Sequence, residues 1–252
     1  MNILLTNDDG IDTPGLNELA SVLRSDKNIS LSIVAPEKNR SGVSHSISIF
    51  LSSVTLNKRG DKTWSCSGTP VDCVIAALLG TFSEKPDLVI SGINQGANLG
   101  SDIIYSGTAS AARQASLLGF PALALSLQGK EPYNWDMAVN WVKKNLEEIC
   151  SYWKKNSFIN VNIPNGDDAP IGLVHTWPGI KKYNDKLSED KTEDGLVCSL
   201  LGGGETVIYE AGSDCDAVSG NYASLSTIYN FPVVYKETCS NAPDYASVTI
   251  RS

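Results

Sequence analysis

This chain predicts a doubly wound α/β fold, and three observations lead there. Short apolar runs of strand length alternate with segments of helical apolar spacing through residue 163. Polar loops rich in Asn, Gly and Ser follow the apolar runs, as they do at the carboxyl edge of an open parallel sheet. After Pro164 the pattern gives way to charged, glycine-punctuated segments. The expected architecture is a mostly parallel, Rossmann-like three-layer sheet with a C-terminal β-hairpin or arm.

The elements follow in order. Residues 3–6 read as a buried strand and 14–25 as a helix, with Leu16, Leu19, Val22 and Leu23 on its apolar face and Pro14 in its first turn. Residues 31–35 form a second strand, and β-α-β over so short a span implies a right-handed parallel crossover. A polar loop occupies 37–44, and the Ser/Ile alternation at 46–56 suggests an antiparallel edge excursion. Thr69 and Pro70 cap and open a helix whose body runs through 71–79. A third parallel strand is expected at 86–91, a long Gly/Asn loop at 92–107, a helix of small residues at 108–118 and a fourth strand at 121–126. An amphipathic helix at 134–155 and a fifth strand at 158–163 complete the core. The run 181–194 is charged and expected to be exposed, 178–215 reads as a projecting arm, and 222–235 returns to strand-like alternation. The chain thus divides into an α/β core at 1–177 and a hairpin and C-terminal strands at 178–252, the latter expected to mediate oligomerisation rather than to form a separate domain.

Composition narrows the function. With 252 residues, 42% hydrophobic and 19% charged, this is an ordinary globular chain with a sizeable core. A net charge of -8 argues against a sequence-independent nucleic-acid binder. No stretch is apolar enough to span a bilayer, and the chain opens on a strand rather than a leader. Six scattered cysteines without a CxxC pair, and two histidines, fit reduced thiols in a cytoplasm and not a zinc site.

The chemistry concentrates in three loops. Asn7-Asp8-Asp9-Gly10 ends the first strand. Neighbouring strand side chains point to opposite faces, so the two carboxylates converge only if the chain turns there, and Gly10 permits such a turn. Adjacent carboxylates repel, and a divalent cation relieves that repulsion. The alternative reading is an acidic turn with a helix cap. Ser41 in the second loop and Asn94 and Asn98 in the third add oxygen donors, a set that favours Mg²⁺ or Mn²⁺. Ser106-Gly107-Thr108 opens a helix and offers free backbone N–H groups for a phosphate, or is a plain N-cap. His45, four residues beyond Ser41, reads either as a proton donor or as a loop histidine against substrate or solvent. A Walker loop, a GxGxxG turn after the first strand and a spaced DxDxT pair are all absent.

The segments NILLTNDDG, APEKNRSGVSHSIS, SGTPVDCV, SGINQGANLG, YSGTASAARQA and GFPALALS occur in order over residues 1–127 and resemble the SurE survival-protein family. Further on, NVNIP at 160–164 resembles a family strand, and the stretches at 176–183 and 214–226 match more loosely. The resemblance implies a metal-dependent nucleotidase acting on nucleoside 5′- and 3′-monophosphates, with short polyphosphates accepted by some members. It implies one divalent metal on Asp8, Asp9, Ser41 and Asn94. Asn98, Ser106, Gly107 and Thr108 would stand close to the substrate phosphate. A homodimer or homotetramer is the expected assembly. The chain departs from the family at 224–228, where a proline is missing, and at 238–252, which lacks the family's terminal amphipathic helix. A broader acid phosphatase or exopolyphosphatase, a non-catalytic nucleotide- or metal-binding module and a phosphoryl-accepting receiver remain as alternatives.

Overall fold

In the computed structural model, residues 1–82, 84–192 and 194–232 are described. The end of the strand expected at 222–235 and the non-helical segment expected at 238–252 lie outside them. The chain begins with β1 (Asn2–Thr6), α1 (Pro14–Arg24) and β2 (Ser30–Pro36), followed by the hairpin β3 (Leu56–Gly60) and β4 (Thr63–Cys66). Next come α2 (Pro70–Ala76), β5 (Leu88–Gln95), α3 (Asp102–Tyr105), α4 (Gly107–Leu117), β6 (Ala122–Gln128), α5 (Trp135–Ser151) and β7 (Ser157–Pro164). The remainder is β8 (Leu173–His175), β9 (Ile180–Tyr183), β10 (Lys186–Thr192), β11 (Gly195–Leu201), β12 (Glu205–Ile208), α6 (Asp214–Ser219) and β13 (Ala223–Tyr229).

Nine strands form one sheet in the order β3-β4-β2-β1-β5-β6-β7-β13-β8. Pairing is parallel from β4 to β7, and β13 then runs antiparallel to β7. The chain leaves β1 toward β2 on one side and returns to β5 on the other. Loops after β1 and β5 therefore part over a crevice, the topological switch point where open α/β sheets bind ligands.

Each face of the sheet has its own core. Leu5, Ile33, Ile90, Leu125 and Val161 pack under α1 and α5, while Leu4, Val34, Val89, Ala124 and Phe158 pack under α2 and α4. Ala109, Ala111, Ala112 and Ala115 of α4 are all fully buried, and their small side chains let the helix lie close to the strands. The three-layer α/β expectation holds.

Three local expectations change. Residues 46–55 are not a strand, because the backbone N–H groups of Ser48 and Ile49 donate to the Asp72 carboxylate at 3.1 Å instead of to a neighbouring strand. The edge hairpin falls later, at β3 and β4. The third strand continues to Gln95 through an irregularity in its pairing with β6 between Ser91 and Asn94, so the loop expected at 92–107 is shorter and contains α3. The arm is a pair of ribbons, β10 with β11 and β9 with β12. β13, beyond the arm, returns to the main sheet between β7 and β8. Among the described residues no helix is long and apolar enough to cross a membrane.

Leu5 is fully buried in the central strand that carries the Asp8-Asp9 turn. Leu5→Ala is expected to cost roughly 2–5 kcal/mol through lost transfer energy and the cavity left behind. A urea denaturation curve checks this, with the midpoint falling and the slope unchanged.

Candidate metal and phosphate site

Asn7 builds the turn that ends β1. Its side-chain amide donates to the Gly10 carbonyl and to Thr13 Oγ1, both at 2.9 Å, and its Oδ1 accepts the Gly10 N–H at 3.2 Å. Gly10 sits at φ +117°, and a Cβ there would stand 3.2 Å from the Lys38 carbonyl carbon, so only glycine brings this turn against the loop after β2. The Arg40 N–H donates to the Asp8 carbonyl at 2.7 Å and fastens that loop to the turn.

Both carboxylates end up buried, Asp8 at 3% and Asp9 at 7% exposure. Asp8 Oδ1 accepts the Thr108 hydroxyl, and the backbone N–H groups of Thr108 and Gly107 also favour its charge. Asp9 Oδ2 accepts the Gln95 N–H at 3.1 Å. Burial raises the Asp8 pKa despite these bonds. Burial, then the neighbouring Asp8 charge, pushes Asp9 up to about 6. Among the described residues neither makes an ion pair. Two such carboxylates without a counter-charge fit a bound cation. Among the described residues no group of three or more His, Cys, Asp and Glu side chains gathers to hold a metal, so hydroxyl and amide oxygens would have to complete a set begun by the two carboxylates. The residues fit a hard divalent ion that keeps several waters.

One cavity brings Asp8, Ser41, Asn94, Asn98 and Ser106 together. The Asn94 side-chain nitrogen donates to the Gly96 carbonyl at 2.9 Å, which leaves its amide oxygen as the group for a cation. Ser106 is the N-cap of α4, its Oγ accepting the Ala109 N–H at 3.0 Å. Gly107 is required by close approach, since a Cβ there would lie 2.7 Å from Asp8 Cβ. Thr108 is buried with its hydroxyl committed to Asp8. His45 stands apart. Its Nε2 is 2.9 Å from Gln114 Oε1 on α4, and burial lowers its pKa against the opposing effect of that bond.

Several residues that organise the site escape a local reading of the sequence. Asn162 Oδ1 accepts the Asn98 N–H at 2.7 Å, while its Nδ2 donates back to the Asn98 carbonyl at 3.1 Å. Asn160 Nδ2 donates to the same carbonyl at 2.9 Å, and Asn98 Nδ2 reaches Ser126 Oγ at 2.8 Å. The signal available was the Asn-Val-Asn alternation, which puts two amides on one face of a buried strand. On the other side, the buried Asp214 carboxylate accepts the N–H groups of Gly100 (2.8 Å) and Gly179 (2.7 Å). Lys181 Nζ bridges Asp102 at 2.8 Å and Glu205 at 2.9 Å, and the Tyr183 hydroxyl also donates to Asp102. The loop between β5 and α4 is thus held by the sheet from one side and by the arm from the other.

The sequence model of the family described as "Survival protein SurE" matches residues 3–185. The chain belongs to the SurE family. A SurE relative from Carboxydothermus hydrogenoformans, named 5'-nucleotidase, is 37% identical over 87% of this chain and 86% of its own length. One from Escherichia fergusonii, named 5'/3'-nucleotidase, is 36% identical over 100% of this chain and 97% of its own. The crystal structure of the SurE protein from Aquifex aeolicus superposes with a TM-score of 0.77 at 31% identity, covering 94% of this chain and 96% of that one. These similarities reach past residue 185.

Asn162→Ala removes both halves of the amide bracket, leaving the Asn98 N–H unpaired and its carbonyl with Asn160 alone. A loss of about 1–3 kcal/mol is expected. Hydrogen exchange reads the effect locally, with faster exchange of the Asn98 amide than of the β6 amides.

Proposed function

We propose that this chain is a nucleotidase that uses one divalent metal ion, Mg²⁺ or Mn²⁺, to hydrolyse nucleoside 5′-monophosphates and also 3′-monophosphates to nucleoside and phosphate. The observation that carries this reading is the buried Asp8-Asp9 pair, without a cationic partner among the described residues, at the switch point of the sheet. The names carried by its SurE relatives supply the substrate class.

Asp8, Asp9, Ser41 and Asn94 would hold the ion. When bound, it supplies Lewis acidity toward the phosphoryl oxygens and acidifies the attacking water. The protein's own part is positional and electrostatic. Asn98 and Ser106 line the cavity beside Asp8 and serve as donors to phosphoryl oxygens, where charge builds in the transition state. Thr108 acts through Asp8, fixing its rotamer. Gly107 acts by what it lacks, since any side chain would displace that carboxylate. His45 takes no part in this reading, because its ring is held by Gln114.

The arm supports self-association as a homodimer or homotetramer. Leu187, Leu196, Val197 and Leu200 are each more than half exposed on the β10–β11 ribbon, and a two-stranded ribbon is marginal alone in water. The free thiols of Cys66, Cys73, Cys150, Cys198 and Cys215 suit a reducing compartment such as a cytoplasm.

Phosphate release is measured across 5′- and 3′-nucleoside monophosphates with Mg²⁺, with Mn²⁺ and with EDTA. Activity is expected to vanish on chelation and to return with metal. Asp9→Asn is expected to lower kcat by more than about 100-fold, beyond the loss typical of an outer-shell partner. Release that persists in EDTA would end the metal reading. Gly107→Ala is expected to lower stability and to lose about 100-fold in kcat/KM, because the new Cβ would press against Asp8 and shift its carboxylate on the ångström scale. Circular dichroism with steady-state kinetics separates those two effects.

A further inference from the structure

The cavity that begins at Asp8 encloses about 840 Å³, far more than a phosphate needs, and it continues to the root of the arm. Its far wall is built by β9, β12 and α6. There Leu99, Cys215 and Val218 form a small apolar cluster, separate from both sheet cores, with Ala97 and Val207 packed against it. All five residues line the cavity, where Leu99, Cys215 and Val218 are nearly buried and Ala97 and Val207 partly exposed, so the cluster is a packed floor at the cavity's edge. Ligand sites have this composition, an apolar surface beside a few convergent polar groups.

Aromatic rings frame that surface. Tyr105 and Tyr209 line the same cavity at 57% and 61% exposure, and among the described residues neither stacks on another ring. Tyr183 is held differently, with its hydroxyl on Asp102 and the Lys181 ammonium 5.6 Å from its ring centroid. The Lys181–Asp102–Glu205 bridge fastens this wall to α3, directly before Ser106. The wall is therefore fixed relative to the phosphate end of the cavity.

We propose that the root of the arm is the nucleobase subsite, with the base laid on the Leu99–Val207–Val218 floor against the ring of Tyr209. This rests on the nucleotidase reading above and extends it, since it divides the substrate between two parts of the chain. Asn98 and Ser106, beside the carboxylates that would hold the ion, receive the phosphate. Residues 180–219, inserted between β8 and β13, receive the base. Base selectivity then belongs to the arm and is separable from hydrolysis. Base–aromatic stacking tolerates any base, because every base has a π-face, so the subsite favours nucleotides as a class.

The test compares AMP with D-ribose 5-phosphate, which keeps the sugar and the phosphate and lacks the base. The full-length chain is assayed with Mg²⁺ or Mn²⁺ as wild type, Tyr209→Ala and Val207→Asp. Wild type is expected to prefer AMP, and each variant is expected to lower the AMP to ribose 5-phosphate ratio of kcat/KM by about 10-fold or more, the loss of one stacked base. A wild type without that preference, or variants in which both substrates fall in parallel, would overturn the subsite. Ligand-observed NMR of adenosine with the metal-free protein gives a readout without turnover. Saturation transfer to the base protons is expected with wild type and is expected to be lost in Tyr209→Ala. Equal transfer to both proteins would place the base elsewhere. If wild type hydrolyses neither substrate with either metal, the nucleotidase reading fails, and the adenosine measurement alone decides whether this wall binds a base.

Discussion

Two carboxylates buried side by side repel each other, and every nearby element is arranged around that cost. Asn7 and Gly10 make the turn that brings Asp8 and Asp9 into one volume. The start of α4 brings N–H groups and the Thr108 hydroxyl to Asp8, and the strand after Gly92 brings the Gln95 N–H to Asp9. These bonds offset burial only in part: burial keeps both pKa values raised, and at Asp9 the neighbouring Asp8 charge adds to it. On the proposed function, a divalent ion would complete the balance where protein groups stop short.

The same economy governs the loop between β5 and α4. Loops carry catalysis when a rigid scaffold positions them. Here the scaffold is made of side-chain amides and carboxylates that act on backbone groups: Asn162 on both groups of Asn98, Asn160 on one of them, and Asp214 on Gly100 and Gly179. A buried side chain that replaces a backbone partner fixes an irregular segment almost as firmly as a strand would. The buried Asp72 does the same for Ser48 and Ile49.

What was legible in the sequence was local. The Asp8-Asp9-Gly10 turn, the Ser106 cap and the proline-marked starts of α1 and α2 are decided by residues within a few positions of each other, and they stand where expected. The misread segment at 46–56 shows the limit. Its Ser/Ile alternation imitates a strand, but its backbone bonds are taken by Asp72, more than twenty residues away. His45 follows Ser41 closely in sequence, yet the left-handed Ser44, at φ 55°, lies between them, and the imidazole meets Gln114 instead of the cavity. Asn162 and Asp214 act on partners some sixty and one hundred residues away, and no local pattern reveals a partner at that distance.

The return of β13 to the main sheet has a consequence for how the molecule is made. β7 has its partner β6 on one side, but the other side is filled only by β13, and β8 joins the sheet only through β13. On a ribosome, β7 emerges well before β13, so a growing chain carries an open, apolar sheet edge while the whole arm is being translated. Exposed edges of this kind invite pairing with other chains. Among the described residues, that edge stays open from the synthesis of residue 164 until β13 docks beside β7.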